Sequence, residues 1–198
     1  MADLNVSTEF SQVHALSEHE ESARPRFRSF AWRVISLHMI TYFVFGVLAY
    51  LILDYREVFE TTELRYLMIP TDSPWVAVGP ALQVFRGLLF AVVLYPLAAE
   101  FLRRKNGSLI LWGLFLGLAI LGTAGPSPGS FEGFLYTKIP LGTQLLGLLE
   151  VVPQTLFFSL GLVWWCQKPA RWKNVVSGVF VGFIVLMSVA GTLLPRQI

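Results

Sequence analysis

Apolar residues run through this chain in five long stretches, at 34–53, 75–102, 109–124, 140–166 and 175–194, separated by polar or Pro/Gly-rich connections. A helix rises about 1.5 Å per residue, so about 20 apolar residues cover a hydrocarbon layer about 30 Å thick. The pattern predicts an all-α, polytopic transmembrane bundle of five spans within residues 29–198, with four spans and a re-entrant third stretch as the rival. Residues 1–28 differ: they carry Ser, Glu and His, hold no long apolar run, and end in Arg24-Pro25-Arg26-Phe27-Arg28. A polar, disordered cytoplasmic tail is expected there, with one weak helical turn around Phe10–Leu16. A basic start followed by an early apolar core is missing, so the first span is expected to be retained as a signal anchor.

The connections carry their own signals. Asp54-Tyr55-Arg56-Glu57 closes the first stretch and opens an acidic connection that ends at Pro70 and Pro74. Pro96 predicts a kink near one end of the second stretch. Arg103-Arg104-Lys105 stops that stretch, and Asn106-Gly107 suits a tight turn. The third stretch is the shortest, and Gly125-Pro126-Ser127-Pro128-Gly129 ends it. That run matches the G-x-S-x-G of hydrolases, but the residue after its serine is Pro128, which has no N–H to offer an oxyanion. It reads as a rigid turn. The connection that follows holds Phe131, Phe134, Leu135 and Tyr136, and is expected to touch the membrane interface or fold back over the bundle.

Composition sharpens this picture. Charged residues make up 14% of the 198 and hydrophobic ones 55%, against about 25% charged in soluble domains. Charge this sparse excludes a soluble, hydrated surface. The net charge of +2 gives no reason for a nucleic-acid partner; the bilayer is the expected partner. Placement of the cations sets orientation. One set of flanks holds ten (Arg24, Arg26, Arg28 and Arg33; Arg103, Arg104 and Lys105; Lys168, Arg171 and Lys173) and the other four (Arg56, Arg65, Lys138 and Arg196). The positive-inside rule then puts the N-terminus in the cytoplasm and the C-terminus outside. Tryptophans near the span ends agree with that assignment. The expected location is a cytoplasmic membrane, taken to be bacterial. Cys166 stands alone, so no intrachain disulfide can form.

Within this topology two charges stand out. Arg86 follows Trp75 by 11 residues and Glu150 follows Pro140 by 10, which puts each about 15 Å below the outer surface. An unpaired charge at that depth costs about 2.5–3.5 kcal/mol on insertion scales. An Arg86–Glu150 ion pair inside the bundle is therefore expected. Thr143, Gly147, Glu150 and Gln154 share a face of the fourth span by steps of three and four. Gln83 lies one turn before Arg86, and Pro153 frees the Leu149 carbonyl beside Glu150. This polar layer, with Arg86, Glu150, Gln154, Gln83 and Thr143, is the candidate binding site.

Three roles fit the layer: a site that binds or passes a small solute, ion or lipid; a structural pin that fixes helix register in an accessory subunit; or an intramembrane lipid-modifying enzyme with Glu150 or His38 as base. His38 reads as a proton relay or as a hydrogen-bonding partner of a neighbouring helix. Glu132 reads as a guard above the bundle or as a solvated carboxylate. Glu100 is expected to pair locally with Arg103 or Arg104. Gly113/Gly117 and Gly178/Gly182 are G-x-x-x-G pairs, read as packing contacts within the bundle or as an oligomer seam. No catalytic nucleophile, metal set or cofactor fingerprint accompanies these residues. A homo-oligomer or a larger membrane complex is a candidate setting for so short a chain.

Overall fold

The computed structural model describes residues 25–121 and 125–193. The expected tail up to residue 24, its helical turn, and the ends of the third and fifth stretches lie outside the described residues. Among those described there is helix and turn but no strand. The elements are α1 (Phe27–Ile52), α2 (Tyr55–Thr61), a 3₁₀ turn (Glu63–Tyr66), α3 (Pro74–Leu94), α4 (Ala98–Arg103), α5 (Gly107–Leu121), α6 (Phe131–Tyr136), α7 (Leu141–Gln167) and α8 (Arg171–Leu193). Four of them, α1, α3, α7 and α8, are long and apolar enough to cross a membrane. The fifth apolar helix, α5, has 15 residues, about 22 Å against a hydrocarbon layer of about 30 Å.

Prolines and charged flanks set the boundaries. Pro25 precedes Arg26, which is extended at φ −55°, ψ 135°, and the helix begins at Phe27 rather than at Val34. The flanking arginines are good helix formers whose long stems cover apolar surface. The second stretch is divided rather than kinked. Pro96 has no N–H to donate and cannot continue the helical ladder, so α3 ends at Leu94. The chain then tightens through i→i+3 bonds, Leu97 N–H to Leu94 O and Ala98 N–H to Tyr95 O, both 3.1 Å, before α4 begins. Pro169 has a similar effect between α7 and α8: Lys168 leaves the helical region, at φ −125°, ψ 71°, as a residue before proline tends to do.

The bundle is organised around α1, which packs against α3, α7 and α8; α5 lies on α7, and α3 also packs on α8. The core sits at one end. Phe30, Val34, Leu94, Phe101, Phe158 and Leu162 interlock there, with Leu111 of α5 and Ala91 and Ala98 filling smaller gaps. Gly87 allows the close approach of α1 and α3, since a Cβ at that position would stand 2.9 Å from the Ile35 Cα. Cation–π contacts close the same end. The Lys173 ammonium lies 3.2 Å from the centre of the Trp164 ring and donates to the Lys168 carbonyl at 2.7 Å, tying α8 to the end of α7. Glu100 pairs with Arg104 at 3.2 Å on the surface of α4.

The G-x-x-x-G pairs do not do the packing expected of them. A Cβ at Gly113, Gly117 or Gly182 would meet nothing within 4 Å, and one at Gly178 would meet only the rim of Trp32 at 3.9 Å. The glycines at close helix contacts are isolated ones: Gly87 on Ile35, Gly161 on Leu37 and Gly191 on Ala77.

The loop before α7 folds back over the bundle through one side chain. Gln144 is buried. Its amide donates to the carbonyls of Ile139 (2.9 Å) and Gly133 (3.3 Å), and its Oε1 accepts from Gly129 N–H at 3.3 Å. Ser130 caps α6 by accepting from Gly133 N–H at 3.0 Å. Gly133 has no alternative, because a Cβ there would overlap the Ser127 carbonyl.

Candidate binding site

The end of α1 opposite the core is opened by a sharp reversal. Leu53 finishes the helix, and Asp54 adopts left-handed geometry at φ 46°, ψ 57°, a conformation that Asp and Asn tolerate better than most residues. Its carboxylate then accepts from Glu57 N–H at 3.3 Å and starts α2. The reversal turns Tyr55 back over the bundle. The Tyr55 hydroxyl donates to Glu150 Oε2 at 2.6 Å, joining positions 95 residues apart. Burial first, and then the Glu150 carboxylate, push the Tyr55 phenol above its usual range, so this hydroxyl stays a donor. Gly46 of α1 faces the same carboxylate: a Cβ there would lie 3.9 Å from Glu150 Oε1.

Glu150 borders two cavities of ligand size and a third of about 230 Å³. The larger, about 630 Å³, lies between the ends of α1 and α3 and beneath the connection 54–73, and Glu150 is its one charged lining residue. Aromatic rings make up much of its wall, among them Tyr42, Tyr55, Phe59 and Trp75. The second cavity, about 490 Å³, reaches from Glu150 to Arg86 and includes His38, Gln154, Phe90 and Phe158. Tyr42 lines both.

The expected Arg86–Glu150 ion pair is not found; ion pairs within 4.0 Å include Arg56–Glu60 and Glu100–Arg104. The reason is register. On α3, the turn that carries Arg86 packs against the Ile35–His38 turn of α1, through Gly87 on Ile35 and Gln83 on His38. Glu150 packs against Gly46. His38 and Gly46 are about 12 Å apart along a helix. The Arg86 guanidinium lies 5.4 Å from the centre of the Phe90 ring, one turn further along α3. The two charges line one cavity without pairing, and matching the distances of Arg86 and Glu150 from their span starts placed them too close together.

The remaining candidates divide. His38 is buried, with Nε2 3.1 Å from Gln83 Oε1 and its ring edge-on to Phe90 at 4.9 Å. Gln83 also donates to the Gly79 carbonyl at 3.3 Å, so it links α1 to α3 and is not among the lining residues of either cavity. Gln154 and Gly147 line the second cavity with Glu150. Thr143, at the start of α7, lines neither cavity, and nor does Glu132 in the first turn of α6. No group of three or more His, Cys, Asp or Glu side chains converges among the described residues.

Two polar residues at this end escaped the pattern of apolar stretches. Tyr55 belongs to the Asp54–Glu57 run that reads as a span terminator, and only the left-handed Asp54 returns it to the bundle. Gln144 neighbours Thr143 on α7 but faces the loop rather than the cavities. A polar side chain within an apolar run was the signal available for Gln144; for Tyr55 the signal was an aromatic directly after an Asp able to reverse the chain. Comparison with protein families, curated proteins and solved structures finds no match to this chain.

Proposed function

We propose that this is an integral membrane protein that binds a small solute at Glu150, in the paired cavities between α1, α3 and α7. The observation that carries the reading is the position of Glu150, at the wall shared by both cavities and held by Tyr55 rather than neutralised by Arg86. A structural pin would close the two charges on each other. Here they are apart, with space of ligand size beside each; ligand sites commonly enclose about 300–1,000 Å³ with few polar groups. Arg86, Gln154 and His38 form the inner part of the site and Tyr55 and Tyr42 the outer part.

The same reading carries the topology. The N-terminus lies in the cytoplasm, α5 makes a short fifth crossing, and the C-terminus lies outside, because the basic flanks then all face inward. The larger cavity opens toward the outer surface. The protein resides in a cytoplasmic membrane.

The test is a thermal-unfolding screen of the purified full chain against small cations, anions and neutral solutes, run on the wild type and on Glu150→Gln. A ligand at about 100 times its Kd stabilises the native state by about 2.7 kcal/mol. At least one solute class is expected to raise the wild-type Tm and not that of Glu150→Gln. A panel in which no solute class depends on Glu150 contradicts the reading.

A further inference from the structure

The larger cavity has a chemistry of its own. Its wall includes six aromatic rings, Tyr42, Phe43, Tyr50, Tyr55, Phe59 and Trp75, and a single charged group, Glu150. Two of the rings are preset: Tyr55 and Phe59, one helical turn apart on α2, stack at 5.2 Å between centres with 19° between planes. Phe43 is held edge-on by Phe183 of α8, at 6.5 Å. A ring face carries partial negative charge and attracts cations, and organic ammonium groups are the ligands that aromatic cages recognise. Arg86 is absent from this lining, its guanidinium 5.4 Å from the centre of the Phe90 ring.

From this we propose that the larger cavity is a site for an organic monovalent cation, an alkylated ammonium whose charge faces Glu150 and whose alkyl groups meet the aromatic wall. The proposal rests on the reading of Glu150 as a ligand site and adds the class of ligand. A bare metal ion would leave the rings without a role, since most of the wall offers no oxygen ligands and hard cations select oxygen. An anion would meet Glu150 with no basic side chain in the lining to offset it. A neutral apolar solute would fit the wall but gain nothing from the carboxylate. The volume, about 630 Å³, accommodates more than one alkyl substituent on the nitrogen.

The experiment is a calorimetric titration of the full chain in lipid nanodiscs with choline chloride, with its neutral carbon isostere dimethylbutanol, with sodium chloride and with sodium acetate. Choline is expected to bind at least about tenfold more tightly than the isostere, a factor worth about 1.4 kcal/mol, and neither sodium salt to compete with it. Glu150→Gln is expected to weaken choline by about tenfold or more. Phe59→Leu keeps apolar bulk but removes a ring from the short surface helix α2. It is expected to weaken choline about three- to fivefold and leave the isostere unchanged, and it keeps the question open to test if Glu150→Gln folds poorly. Equal binding of choline and its isostere, competition by either sodium salt, or an unchanged choline affinity in Phe59→Leu would overturn the proposal. If choline does not bind while another solute shows Glu150-dependent stabilisation, the cation proposal fails and the Glu150 site stands. If no solute depends on Glu150, both fail.

Discussion

The two ends of this bundle are built from the same helices and behave as different materials. At the end where α1 begins, Phe30, Val34, Leu94, Phe101, Phe158 and Leu162 fill the space between helices. At the end where α1 stops, the helices border a cavity of about 630 Å³, and a second of about 490 Å³ reaches from Glu150 toward Arg86, His38 and the edge of the core at Phe158. Lipid tails are as apolar as leucine, so packing and hydrogen bonds, not escape from water, hold membrane helices together. The packed end therefore holds the bundle, and the open end is free to keep unfilled space and separated charges. Dense packing lies toward the start of α1 and the larger cavity toward its end.

Substitutions can break this contrast, beginning with the packed end. Gly87→Leu places a side chain where a Cβ already stands 2.9 Å from the Ile35 Cα. It should separate α1 from α3 and cost about 1–3 kcal/mol or more, read as a large fall in Tm. At the open end Gln144→Leu should follow, at about 1–3 kcal/mol, because Gly129 N–H and the carbonyls of Gly133 and Ile139 lose their buried partner. Faster proteolysis within residues 125–139 would report it. An intact loop and unchanged Tm would show that Gln144 does not hold this loop.

Around the cavities themselves the effects on stability should shrink. Tyr55→Phe removes one hydrogen bond to a carboxylate, about 1 kcal/mol of stability, while its main effect should appear as weaker Glu150-dependent binding. Smallest of all is Gly182→Ala, where the added methyl meets nothing within 4 Å. Its Tm should move by no more than about 0.5 kcal/mol equivalent. A marked loss of stability or of oligomer on size exclusion would instead place Gly182 in a contact between copies.

What was legible in the sequence follows the same division. The long apolar runs of α1, α3, α7 and α8 are local properties, and length alone identifies them. Glu150 stood out because a carboxylate is costly inside an apolar run. Its partner was not legible. Pairing it with Arg86 assumed that Trp75 and Pro140 start their helices level, whereas Gly87 sets α3 against Ile35 and His38, well below Gly46. Relative register between helices is decided by side-chain fit between distant segments, which no single stretch encodes. Tyr55 was hidden for a related reason: its route to Glu150 depends on the left-handed Asp54. The G-x-x-x-G pairs misled because spacing says where close approach is allowed, not where a neighbouring helix lies.

The central claim is that Glu150 is held by Tyr55 and not by Arg86. A pair of double-mutant cycles tests it on the full chain by equilibrium unfolding, one with Arg86→Gln and Glu150→Gln, the other with Tyr55→Phe and Glu150→Gln. Distant sites add to within about 0.5 kcal/mol, whereas groups in contact couple by about 0.5–3 kcal/mol. The account predicts additivity in the Arg86 cycle and coupling above that limit in the Tyr55 cycle. Strong coupling between Arg86 and Glu150, with none between Tyr55 and Glu150, would contradict it.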